Sequence, residues 1–328
     1  MIRSAFRPLA LVMGVVLVVA GTACRQAPST APSIGRPSML VNTEWLAENV
    51  GKPNVVLLHV GSRAQYDSGH VTGARLVVLA DISLPAAPNT LTLQMPTVEQ
   101  LSAWAVKQGI SNRSRIIVIP HDDALQSATR VFITLAYLGA MDRTSLLNGS
   151  FTAWKAEGRA VTTVAPPPAV AVTFTAAPRP ELIATITQVE AIAMRGASGA
   201  ASGSGPSTGN GTTVPSDIAI VDARLPRFYN GDGGGYPRPG HIPSAVNIPL
   251  STVSSNGFIK PASELQMLFT DAGVVRGKQV ITYCHIGQQA TLLWFVATLL
   301  GYDARMFDGS FQEWSGTARL PVVGPPAK

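Results

Sequence analysis

One pattern occurs twice in this chain, and that duplication limits its possible folds more than any other feature. Gly69-His70-Val71-Thr72-Gly73-Ala74 is answered by Gly240-His241-Ile242-Pro243-Ser244-Ala245. Leu138-Gly139 is answered by Leu300-Gly301, and Gly149-Ser150-Phe151 with Trp154 by Gly309-Ser310-Phe311 with Trp314. Each copy alternates short apolar runs with helical patterns, which predicts α/β domains built on parallel sheets. In the first copy the pattern predicts strands over residues 55–58 and 116–119, and helices over 98–108 and 126–138. In the second it predicts strands over 218–222 and 279–283, and helices over 262–272 and 288–300. Gly139 and Gly301 stand where a helix ends on a left-handed residue. Echoes of this density indicate an internal repeat.

Composition agrees with two domains. The chain has 328 residues, 46% of them hydrophobic, enough for two sizeable cores and too many for general disorder. It has only two cysteines, which excludes a disulfide-stapled scaffold and multi-cysteine zinc patterns. Its formal charge of +6 comes from scattered residues with no basic run, so no nucleic-acid partner is expected. No metal and no cofactor are expected either.

The N-terminus accounts for one cysteine. Arg3 and Arg7 precede an almost wholly apolar stretch over residues 8–21, too short to span a bilayer as a helix. Small residues Gly21-Thr22-Ala23 then lead into Cys24. This reads as a signal peptide over residues 1–23, and so as an exported chain. The junction resembles a bacterial lipobox, which implies a lipid on Cys24 and a membrane anchor on the extracytoplasmic side. Simple cleavage before Cys24 is the alternative. Residues 24–38, rich in Pro, Ser and Ala, read as a flexible tether. The expected plan continues with a first domain over 39–161, a proline-rich linker over 162–180 and a second domain over 181–323. Within the second domain, the low-complexity residues 196–216 read as a mobile insertion.

The other cysteine carries the chemistry. Cys284 follows an apolar strand and precedes Gly287 and a long apolar helix. A loop between strand end and helix start turns backbone N–H groups inward and adds the positive end of the helix dipole, which favours a bound anion. Cys284-His285-Ile286-Gly287-Gln288-Gln289 therefore reads as a cradle for a thiolate or persulfide. Counting back from the paired Leu-Gly helix ends puts Asp122 at the matching place of the first copy. A carboxylate offers no thiol, so the first domain is expected to be catalytically silent. His121 reads as a surface-loop residue. His70 and His241 fill matching places in both copies, which argues for structure, and Trp154 and Trp314 read as core.

Four motifs taken together resemble the tandem-domain rhodanese family (thiosulfate/3-mercaptopyruvate sulfurtransferases). They are Val221-Asp222-Ala223-Arg224, Pro239-Gly240-His241-Ile242-Pro243, the strand-loop-helix around Cys284, and Gly309-Ser310-Phe311 near Trp314. The resemblance implies a parallel five-stranded sheet in each domain and a catalytic cysteine in the second domain only. It implies that Cys284 takes sulfur from a small anionic donor and passes it to cyanide or a thiol. Backbone amides from His285 to Gln289 would hold the persulfide. Arg224 would be structural, Asp222 a buried loop anchor, and Arg227 the cation that reaches the donor. His285 and Ile286 stand where the family often places cations, and no glycine follows the cysteine as in the mercaptopyruvate form; thiosulfate is the favoured donor. A phosphatase of related fold would need Cys-x5-Arg, and Ala290 stands at the arginine's place. A thiol redox protein would need Cys-x-x-Cys, and Gly287 stands there. A non-catalytic, membrane-anchored persulfide carrier or binding module remains the alternative.

Overall fold

In a computed structural model, residues 1, 39–88, 90–122, 124–200 and 217–325 are described, with 196–200 as backbone only. The signal peptide, the tether, Cys24 and residues 201–216 of the insertion lie outside the described residues.

The first copy contributes β1 (Leu40–Val41), β2 (Val55–Val60), β3 (His70–Val71), β4 (Arg75–Val77), β5 (Arg115–Pro120), β6 (Thr144–Leu147) and β7 (Val161–Thr162). Its helices are α1 (Thr43–Asn49), α2 (Arg63–Ser68), α3 (Val98–Lys107), α4 (Leu125–Tyr137) and α5 (Ser150–Ala156). The second copy contributes β8 (Ile183–Ala184), β9 (Ile218–Asp222), β10 (Val246–Asn247), β11 (Ser254–Ser255), β12 (Phe258–Ile259), β13 (Gln279–Tyr283) and β14 (Asp303–Phe307). Its helices are α6 (Ile186–Ala200), α7 (Pro226–Tyr229), α8 (Ala262–Asp271), α9 (Ala290–Leu299) and α10 (Ser310–Gly316). Each copy builds one five-stranded parallel sheet, in the orders β1-β6-β5-β2-β4 and β8-β14-β13-β9-β10. These orders are equivalent strand for strand, and helices flank both sheets; the expected α/β fold in two tandem domains is what the chain forms. No helix among the described residues is long and apolar enough to cross a membrane.

The helix stops fall where the sequence places them: Gly139 and Gly301 have φ of +84° and +89°. At Gly139 a side chain is also excluded sterically, because a Cβ would lie 2.5 Å from the Ala177 carbonyl oxygen. Most expected boundaries shift by one or two residues, and the insertion differs by more. Helix α6 runs to Ala200, so the low-complexity segment begins as helix, because extending a helix already formed is easier than starting one. The proline-rich linker is laid against the first domain. Its backbone exchanges two hydrogen bonds with Asn112 at Thr175, and the amides of Ala177 and Arg179 donate to Leu138 and Tyr137.

The two copies meet along α4 and α9. Every residue of α9 is buried, because its own sheet covers one side and α4 covers another. Phe132 packs edge-on against Phe295 with centroids 4.9 Å apart, and the Thr129 and Thr291 hydroxyls share a 2.7 Å hydrogen bond. One apolar cluster runs through both copies, from Leu58 and Phe132 to Trp294 and Cys284. Each copy also sends a segment across to the other. The Met95 amide donates to Asp308 at 3.1 Å, and the Ile259 amide to Asn148 at 2.8 Å. Asp308 and Asn148 occupy equivalent places, each just before a Gly-Ser-Phe.

Candidate active site

Cys284 follows the last residue of β13, the middle strand of its sheet, and is fully buried. Its amide donates to Ser310 Oγ at 3.2 Å, and its carbonyl accepts from the Phe311 amide at 3.0 Å. The loop onward to α9 is held by its carbonyls. That of His285 accepts from the Gln312 amide and the Tyr236 hydroxyl, and that of Gly287 from Arg130 at 3.3 Å. Those of Gln288 and Gln289 accept from the first turn of α9. The amides of His285, Ile286, Gly287, Gln288 and Gln289 donate to no acceptor among the described residues. With carbonyls held outward and successive amides unpaired at a helix start, the loop is an anion nest. Gly287 permits the turn: its φ is +78°, and a Cβ there would meet the Asp308 carbonyl oxygen at 2.4 Å.

The loop side chains have separate surroundings. Ile286 is half-buried. Gln288 Nε2 donates to Ser127 Oγ of the first copy at 3.0 Å, while Gln289 Oε1 is buried with no partner. His285 packs against Phe228, edge-on at 4.8 Å, and against Tyr236, stacked at 5.8 Å. The Tyr236 hydroxyl lies 3.2 Å from His285 Nδ1. Burial and then the Arg224 charge lower the His285 pKa to about 4, so the ring is neutral at physiological pH. Burial pushes the Tyr236 hydroxyl up to about 12, against the pull of Arg224 and with a contribution from Cys284. The wall beside Cys284 is therefore aromatic and uncharged.

Of the predicted arginines, one is inside and one outside. Arg224 is buried; its Nε and Nη2 bind both oxygens of Asp222, with 2.6 Å for the shortest contact, and its Nη2 also reaches the Gly240 carbonyl. Burial by itself would lower the Arg224 pKa, and the Asp222 carboxylate more than reverses that. This bidentate pair ties the strand end to the glycine turn. Arg227 is exposed, with its guanidinium over the Phe228 ring at 4.5 Å. It stands at the edge of the aromatic wall.

The first copy repeats this frame with other chemistry. Tyr66 stacks on His70 at 3.7 Å, as Tyr229 stacks on His241 at 3.8 Å, so both histidines belong to equivalent structural turns. Strand register pairs His59 with Ile119 and Asp222 with Tyr283, which makes Pro120 the counterpart of Cys284. Counting from the helix ends missed this, because the first copy has two more residues between strand and helix end (119 to 138 against 283 to 300). Neither Pro120 nor Asp122 offers a thiol. His121 is 5% exposed and shares a 3.0 Å hydrogen bond with His59, so it is no surface residue; burial removes it from the role expected of a loop histidine. Trp154 and Trp314 are buried, each indole donating to a backbone carbonyl.

Sequence reasoning did not find Tyr236, Phe228, Ser310, Asp308 or Arg130. Tyr236 lies in a glycine-rich run whose path the sequence does not fix. Arg130 was visible as the one charge in the sequence of α4, pointing to a partner outside that helix. No group of three or more His, Cys, Asp or Glu among the described residues could hold a metal ion.

Comparison with known proteins agrees with this geometry. The model of the rhodanese-like domain matches residues 42–157 and again 211–317. The sulfur carrier protein TtuD of Thermus thermophilus is 29% identical over 307 residues, covering 88% of this chain and 97% of that protein. The thiosulfate sulfurtransferase of Azotobacter vinelandii is 28% identical over 291 residues, covering 87% and 96%. Among solved structures, the anaerobic ergothioneine biosynthesis enzyme of Chlorobium limicola superposes with a TM-score of 0.72 at 21% identity, over 88% of this chain and 71% of that one. At that identity the likeness is one of fold.

Proposed function

Because this chain belongs to the rhodanese family and is a sulfurtransferase, we propose that it works through a persulfide on Cys284. The Cys284 thiolate attacks the outer sulfur of an anionic donor. A new S–S bond forms, the donor's S–S bond breaks, and sulfite leaves with the bonding pair when the donor is thiosulfate. A thiophile then attacks the outer sulfur of the persulfide, and Cys284 leaves as thiolate. Cyanide so gives thiocyanate, and a thiol gives a new persulfide. Splitting the transfer into two displacements gives ping-pong kinetics. The observation that carries the reading is the row of unpaired amides from His285 to Gln289, next to the one thiol of the two strand ends. Oriented donors at a helix start stabilise the charge that moves onto the outer sulfur.

Thiosulfate remains the favoured donor over 3-mercaptopyruvate, with Arg227 as the cation at the edge of the site. Neutral His285 offers the donor no charge at physiological pH. The alternative is a persulfide carrier that hands sulfur to a partner protein, which the similarity to the Thermus protein favours. Mass spectrometry after treatment with either donor tests both. One added sulfur on Cys284 and thiocyanate formation with cyanide support the enzyme; the sulfur adduct without turnover supports the carrier. Cys284→Ser should lose both, and a variant that retains turnover refutes the assignment. The N-terminal segment supports export and anchoring through Cys24. In cells, Cys24→Ala should move the protein from the membrane fraction to the soluble one; unchanged membrane association rejects the lipid.

A further inference from the structure

The backbone of the persulfide loop is held from the other domain by one side chain. Arg130 stands in α4 of the copy that has no thiol and is fully buried. Its Nη1 donates to the Gly287 carbonyl at 3.3 Å and forms an ion pair with Asp308, whose own carbonyl closes on the Gly287 Cα. Its Nη2 donates to the Leu93 carbonyl at 2.6 Å. Leu93 has φ of +58°, a conformation costly for a branched residue and kept only where its surroundings impose it. One guanidinium therefore joins three segments: the backbone of the loop after Cys284, the Asp308 carboxylate just past β14, and the backbone of the segment crossing from the first domain.

The geometry points to Arg130 as a positioning residue for sulfur transfer, supplied by the domain that carries no nucleophile. In a trans peptide the carbonyl and the following N–H point in opposite directions. By holding the Gly287 carbonyl outward, Arg130 turns the Gln288 amide inward with the rest of the unpaired row. A fork with several donors can hold these acceptors at once, and a lysine cannot.

The alternative is that Arg130 merely glues two domains together, and the internal symmetry separates these readings. Met95 to Asp308 and Ile259 to Asn148 are the symmetric pair of cross-domain bonds, and they join the domains equally. The charged pair is added on one side only. Counting from the paired Leu-Gly ends, Leu292 of α9 stands at the place of Arg130, and Asn148 replaces Asp308. Glue would serve either side, whereas this clamp is built where the thiol is.

The inference rests on the Cys284 persulfide reading, and Arg130→Lys tests it separately. Arg130 does not touch the donor, so the variant should keep the KM for thiosulfate within twofold while kcat falls at least tenfold. The persulfide formed on Cys284 should also decay faster after excess donor is removed, as followed by intact-mass spectrometry. Wild-type kcat and persulfide lifetime, with only a lowered thermal midpoint, would make Arg130 a structural link and overturn the proposal. If Arg130→Lys does not fold, Asp308→Asn decides in its place by releasing the guanidinium without removing it. The same fall in kcat at constant KM supports the clamp, and wild-type kcat rejects it. In parallel, a Cys284→Ser protein that still turns over would instead sink the persulfide reading.

Discussion

At the scale of single residues, equivalent positions in the two copies show what the second copy has and the first lacks. Asp222 is buried with Arg224 bound to both of its oxygens. His59 holds the same place in the first copy, and the arginine's place is taken by Gly61, where a Cβ would lie 3.0 Å from that of His121. His59 is fully buried, with Nε2 bound to His121 and Nδ1 unpartnered. Burial first, and then the charges of His121 and His70, lower its pKa to about 3, with only Asp122 acting the other way. The folded chain thus keeps His59 neutral, while the unfolded chain takes up a proton below pH about 6.5. The unfolded state binds more protons between those values, so stability falls as pH falls through the window. From this group alone the loss between pH 7 and pH 5 is about 2 kcal/mol. Thermal midpoints measured at both pH values should show the drop, and His59→Leu should reduce it to the part that the likewise neutral His285 contributes. An equal drop in the variant would place the acid sensitivity elsewhere.

At the scale of elements, the regular parts were legible in the sequence, and the irregular parts that act were only half legible. Strands β9 and β13 lie at the expected residues, because buried parallel strands appear as unbroken apolar runs. The helix ends at Gly139 and Gly301 were equally legible, since a left-handed stop favours one residue type. The loop from Cys284 to Gln289 was legible as a cradle because strand, glycine and helix bracket it. What holds it in shape was not. Its carbonyls are bound by Phe311, Gln312, Tyr236 and Arg130 and its Cys284 amide by Ser310, all from distant positions that no local pattern links to Cys284. Matching Cys284 to Asp122 failed for a related reason. Counting along the chain assumes loops of equal length, whereas hydrogen-bond register does not, and register selects Pro120. Helix α6 outran expectation because composition marks where order becomes weak and not where a helix ends.

At the scale of the whole molecule, duplication has produced two domains packed into one body. The packing of α4 on α9 buries aromatic residues from both copies in one cluster, and each copy's crossing segment binds the other's Gly-Ser-Phe turn. A second domain alone would expose the face of α9 that Phe132 covers and leave Thr291 without Thr129. It would also leave Asp308 without Arg130. The isolated segment 181–325 is therefore expected to aggregate or lose fixed packing, and to hold no stable persulfide even though it contains Cys284 and every amide of the cradle. Calorimetry of the intact chain should show a single transition whose van't Hoff and calorimetric enthalpies agree. Two resolved transitions, or a monomeric second domain with full turnover, would show that the domain without the thiol is dispensable. The clamp from Arg130 predicts that it is not: the nucleophile belongs to one copy, and the shape of its loop depends on both.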